Sequence, residues 1–165
     1  MIIIGCGRPI GAALFICLAV AAASAQSGPT LVVETSQGAV LGKLGFNEGQ
    51  EICLSWAHSV SGGAVQDCFE NRRGEMVLTR SYLHDFAAGL GDIAGRGTLE
   101  PADGGGYWIT GIDEVIPPGG LLLRVGAPRV GHVLQAADQS LDLSEIAPGA
   151  RVTLRLAPDM PQAAD

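Results

Sequence analysis

From Leu31 to Leu156 the chain is cut into apolar runs no longer than single strands by glycine, proline, asparagine and aspartate. LVVET, AVLGKLGF, EICLSWAHSV, AVQDCFE, EMVLTRSYL, YWITGIDEV, LLLRV, VGHVLQ and RVTLRL are separated by breaks such as SGG, NRRG, ADGGG, PPGG and GAPR. Such runs are too short for the several turns an isolated helix needs, and turn residues at their ends are what hairpins require. RVTLRL shows the period directly, with Val152, Leu154 and Leu156 on one face and Arg151, Thr153 and Arg155 on the other. The pattern predicts an all-β chain, a small antiparallel sandwich or partly open barrel built from hairpins and meanders. Only LDLSEIA, residues 141 to 147, reads as a helical turn, stopped by Pro148-Gly149. The stretch GLGDIAGRGTLEPADGGG, residues 89 to 106, is so rich in glycine that a flexible loop is expected there rather than a strand, either a binding loop or a mobile connector.

At 165 residues the chain is in the one-domain range. Its first residues carry one charge, Arg8, then an apolar stretch from Ile10 to about Ala23, then Ala23-Ser24-Ala25. That order is a secretory signal, so residues 1–25 are expected to be removed on export to the periplasm. The apolar stretch is shorter than a membrane span of about 20 residues, and a membrane-tethered form would need it to remain uncleaved. Residues 26–158 are then one all-β domain and 159–165 a frayed tail. All seventeen Asp and Glu, and every Lys and Arg except Arg8, lie beyond residue 26, so the exported part is more acidic than the net −7 of the whole chain. Phosphate backbones need clustered Lys and Arg, so nucleic acid is not an expected partner.

Cys6 and Cys17 fall in the signal, leaving Cys53 and Cys68. Two cysteines in one small exported domain point to a disulfide, and no CxxC spacing favours a metal. The segments around them are expected to form a hairpin, residues 52–60 against 63–70, closed near Val60 to Gly62. In the register where Ser59 opposes Gly62, Cys53 stands opposite Cys68, within disulfide range for cross-strand neighbours. The same register puts Ile52, Leu54 and Trp56 on one face with Val65 and Phe69, which marks that face as core.

His58 continues the Trp56 face, Ser59 enters the turn, and Asp67 opposes Leu54, too far along for direct contact with His58 unless a bulge intervenes. These residues have two readings. They fix the turn through side-chain to backbone hydrogen bonds, or they line a ligand-facing patch. A hydrolase reading would use His58 with Ser59 or Asp67, drawing also on His84, Asp85 or His132, but no G-x-S-x-G elbow is present. His58, His84 and His132 lack a metal-binding spacing, and GLGDIAGRG lacks the Lys-Ser/Thr of a phosphate cradle, so no cofactor is expected.

Several pieces together resemble DUF family 1850, short exported bacterial proteins. They are His58-Ser59-Val60, the return strand with Val65, Asp67 and Phe69, Met76 to Leu78, and Phe86-Ala87-Ala88-Gly89-Leu90. The strand from Gly106 to Ile109, LLLRVG at 121 to 126, His132 with Leu134, and Leu141, Leu143, Glu145, Pro148, Gly149, Val152 and Leu154 complete the match. The chain departs from the family pattern with Asp67 where Glu is usual, Gly91 where Pro is common, and its cysteine pair, which reads as a local stabiliser. The resemblance implies a non-enzymatic, extracytoplasmic accessory or binding component of a TAXI-type tripartite ATP-independent periplasmic (TRAP) transporter. Its partners would be the permease or the solute-binding subunit, with a small solute as a further candidate. The binding residues it nominates are His58, Ser59, Asp67, Phe86, Gly89 and His132. The alternatives are the small secreted hydrolase above and a structural β module that binds another envelope protein.

Overall fold

The computed structural model describes residues 28–85 and 95–157. The expected signal at 1–25, the tail at 159–165, and Phe86 and Gly89 lie outside the described residues.

The described chain is an all-β sandwich of two antiparallel sheets, neither closed into a barrel. Its strands are β1 Thr30–Thr35, β2 Val40–Gly45, β3 Glu51–Ala57, β4 Ala64–Arg72, β5 Glu75–Leu83, β6 Thr98–Pro101, β7 Tyr107–Val115, β8 Leu121–Arg124, β9 Val133–Ala136, β10 Gln139–Asp142 and β11 Arg151–Ala157. The smaller sheet runs β2-β1-β11-β8 and the larger β10-β9-β3-β4-β5-β7-β6. A single helical turn, α1 Leu143–Ile146, lies where one was expected, and the Asp142 carboxylate caps it by accepting from the Glu145 N–H at 3.0 Å.

Alternation explains the core. Leu31, Val33, Val152 and Leu154 project from the smaller sheet onto Ile52, Leu54, Phe69, Leu78 and Leu134 of the larger, all almost wholly buried. Full burial of each such side chain contributes about 1.5–3 kcal/mol before the entropy of ordering it is subtracted. The β4–β5 hairpin closes over Arg73 and Gly74 at φ of 56° and 81°, the left-handed pair that a two-residue hairpin demands. Asn71, 1 % exposed, secures this turn: its amide donates to the Phe46 carbonyl and its Oδ1 accepts from the Gly74 N–H.

The β3–β4 hairpin adopts the expected register, with Cys53 opposite Cys68, Ile52 opposite Phe69 and Trp56 opposite Val65. The Cys53–Cys68 disulfide is formed across it, at a Cα separation of 4.1 Å. The strands stop earlier than expected, at Ala57 and Ala64, and residues 58 to 63 form a wider turn with the His58 N–H bonded to the Gly63 carbonyl. The glycine-rich stretch also departs from expectation, because β6 lies within it. Thr98–Pro101 pairs with β7 as an exposed edge strand, held by backbone hydrogen bonding rather than by an apolar face.

The bridge closes a loop with a sequence separation of 15. Replacing both cysteines with serine is expected to lower unfolding free energy by about 2–3 kcal/mol, the chain-entropy effect of a loop of that size. Denaturant titration measures this, and thiol titration of the unfolded, unreduced exported protein should find neither cysteine free. Two reactive thiols would refute the bridge.

Candidate functional site

At one end of the sandwich the chain leaves β8 in the smaller sheet and enters β9 in the larger, so residues 125 to 132 must cross between sheets. Their backbone is tied to both sides. The Val125 N–H donates to the Ala150 carbonyl at 2.9 Å, and the Val130 carbonyl accepts from the Ala57 N–H at 2.7 Å. Gly126 is required at the start of the crossing, since a Cβ there would stand 2.6 Å from the Cβ of Val130. Ser144 of α1 fastens the crossing from beneath: its Oγ donates to the Gly126 carbonyl and accepts from the His132 N–H.

This crossing and the β3–β4 turn enclose an open groove of ≈ 490 Å³. Trp56, His58, Ser59, Arg124, Val130 and His132 are among its walls. His132 is 7 % exposed and stacks on Trp56, with ring centroids 5.7 Å apart and planes 21° from parallel. Its Nδ1 accepts the Gly126 N–H at 3.0 Å. Burial holds its pKa below the ordinary 6.5, which favours neutral imidazole. His58 is exposed enough to meet solvent, and its Nδ1 accepts the Ser61 N–H at 3.2 Å, with the Ser61 hydroxyl at the same distance. The turn-fixing role expected of His58 is therefore present, and it uses one ring nitrogen only.

Asp67 is elsewhere. It opposes Leu54 on the inner face of the larger sheet, half-buried, and its carboxylate accepts the Ser81 hydroxyl at 2.6 Å. The trio His58, Ser59 and Asp67 is not assembled: two members share the groove and the third is committed to β5. His84 is exposed, its N–H bonded to the Ala64 carbonyl, and Asp85 packs against Gly63 rather than in the groove wall. Among the described residues the one grouping with metal-ligand spacing is Glu51, Cys53 and Cys68, whose sulfurs are joined to each other. Of the nominated binding residues, His58, Ser59 and His132 are thus brought together across more than seventy positions of sequence. Arg124, Trp56 and Ser144 build the same site without having been nominated. Arg124 was visible only as the basic residue of LLLRVG.

A family model described as a domain of unknown function (DUF1850) matches residues 52–143, a span that contains the hairpin, the crossing and the groove's histidines. No curated protein and no solved structure matches the chain.

Two titrations follow from this geometry with opposite signs. Desolvation raises the Asp67 pKa above its ordinary 3.8, against the opposing effect of the Ser81 hydrogen bond. Its contribution to stability is therefore complete below its unfolded pKa and is lost as pH rises through the raised folded value. Asp67→Asn should flatten that decline in a series of denaturant titrations run upward from acid pH. His132 has a lowered folded pKa, so its contribution is present above 6.5 and is lost as pH falls through the folded value. His132→Gln should remove that acid-side loss, and an unchanged profile in either variant would show that the group is not desolvated as described.

Proposed function

The chain belongs to the family described as a domain of unknown function (DUF1850), and from that premise we propose that it is an extracytoplasmic, non-enzymatic binding component of a TAXI-type TRAP transporter. The observation that carries this reading is the groove. Family-motif residues from the hairpin, His58 and Ser59, meet His132 and Arg124 from the far end of the matched span in one open concavity. Its volume is in the range of small-ligand sites, and its walls mix apolar surface with a few convergent polar groups. The Cys53–Cys68 disulfide supports a location outside the reducing cytoplasm. Among the described residues no helix is long and apolar enough to cross a membrane. The transporter partner itself rests on what the family resemblance implies.

The test is a pull-down of tagged exported protein against detergent-solubilised membranes of its own host, with bound proteins identified by mass spectrometry. The wild type should retain a TRAP permease or solute-binding subunit. A His58→Ala, Arg124→Ala variant, both changes lying at solvent-accessible positions, should lose most of that capture while keeping a native circular dichroism spectrum. Absence of any transporter subunit from the wild-type capture would overturn the reading.

A further inference from the structure

The groove's polar equipment is one-sided. A backbone N–H can only donate, so the Gly126 N–H at His132 Nδ1 and the Ser61 N–H at His58 Nδ1 each require an unprotonated Nδ1. In a neutral imidazole the hydrogen then sits on Nε2, which makes both rings Nε2–H donors. Among the described residues neither Nε2 has a hydrogen-bond partner. Arg124 adds a guanidinium, and no Asp or Glu is among the lining residues.

Arg124 has no carboxylate partner among the described residues. Arg72, Arg80, Arg96 and Arg155 each pair with a carboxylate, in a chain whose net charge is −7. Arg124 and Arg151 do not, among the described residues, and they stand directly opposite one another on β8 and β11. Like charges at directly opposed positions destabilise a strand pair. Two further described arginines lack a carboxylate: Arg73, in the β4–β5 turn, and Arg129, which sits in the Ala127–Val130 turn of the same crossing as Arg124. An acidic protein that leaves three cations unneutralised at one end has a place there for an anion.

The remaining walls fix the rest of the ligand. Trp56, Ala127 and Val130 offer apolar surface, and of the arginines at this end only Arg124 lines the groove, a single guanidinium that suits a single carboxylate. Resting on the reading of this groove as a binding site, we propose that it takes a small monocarboxylate. The carboxylate meets Arg124 and the Nε2–H donors of His58 and His132, and a flat or branched apolar body lies along the Trp56 side.

The exported protein is titrated calorimetrically in low-chloride buffer with benzoate, 4-methylpentanoate, benzamide and inorganic phosphate. At least one of the two carboxylates should bind in the millimolar range or tighter, with benzamide and phosphate weaker by about tenfold or more, the effect of losing one charge-assisted hydrogen bond or the apolar contact. Arg124→Gln should weaken the carboxylate by a similar factor without changing the ligand-free melting temperature downward, while Asp67→Asn should leave affinity unchanged. Equal affinity for benzamide and benzoate, an unaffected Arg124→Gln variant, or no carboxylate binding overturns the proposal. Carboxylate binding without capture of a transporter subunit would leave this inference standing and remove only the transport reading. Capture of a transporter subunit that depends on Arg124, with no carboxylate binding, would overturn it and assign the cationic end to an acidic protein partner.

Discussion

The pairing of β3 with β4 tolerates only one register, and much of the larger sheet is built outward from it. A slip of one residue would turn Ile52 and Leu54 to solvent and is forbidden by the core. A slip of two would keep every apolar residue on the correct face, so the hydrophobic pattern alone does not exclude it. Such a slip would carry Cys68 away from Cys53, and the disulfide selects against it. With that register set, β4 continues through the Arg73-Gly74 turn into β5, and β3 accepts β9 on its other edge. Trp56 and His58 then fall at the end of the sandwich where the β8-to-β9 crossing passes.

The same crossing explains why the groove is polar without being a set of unsatisfied groups. A segment that bridges two sheets cannot join either hydrogen-bonded ladder along its whole length, so its backbone must find partners elsewhere. Gly126 finds two, donating to His132 Nδ1 and accepting from Ser144 Oγ, and His132 is held in turn by the Ser144 hydroxyl at its own N–H. These scaffold bonds consume the Nδ1 side of the imidazole and orient the ring against Trp56. Holding the loop and presenting an Nε2–H donor are therefore consequences of one tautomer, not competing roles for His132.

Sequence periodicity is sufficient where a strand has one buried face, as in β3 and β11. It failed for β6, because TLEP is exposed at all four positions and has no apolar face to leave a pattern. It failed also for β10, four residues between a turn and α1, too short for alternation to register. The hairpin register was legible because two cysteines marked it. Asp67 is among the binding residues that the resemblance implies, although its parity with Val65 and Phe69 places it on the inner face. Its partner, Ser81, comes from a strand whose register shifts at a bulge, which alternation does not reveal. Arg124 was illegible for a different reason: being unpaired is a property of three-dimensional surroundings, set here by its opposition to Arg151 across a non-local strand pair.

Charge distribution then decides what kind of anion this end of the molecule is suited to meet. The whole chain is acidic, and an extended acidic protein surface laid against it would oppose many of its carboxylates at once. At physiological ionic strength electrostatic effects fade over about 8 Å, so a small ligand inside the groove senses chiefly the groups that line it. Those groups are an unneutralised guanidinium, two imidazole donors and apolar side chains. The net charge therefore argues against a broad acidic partner, while the local field favours a compact anion, which makes a small carboxylate the occupant that both scales permit.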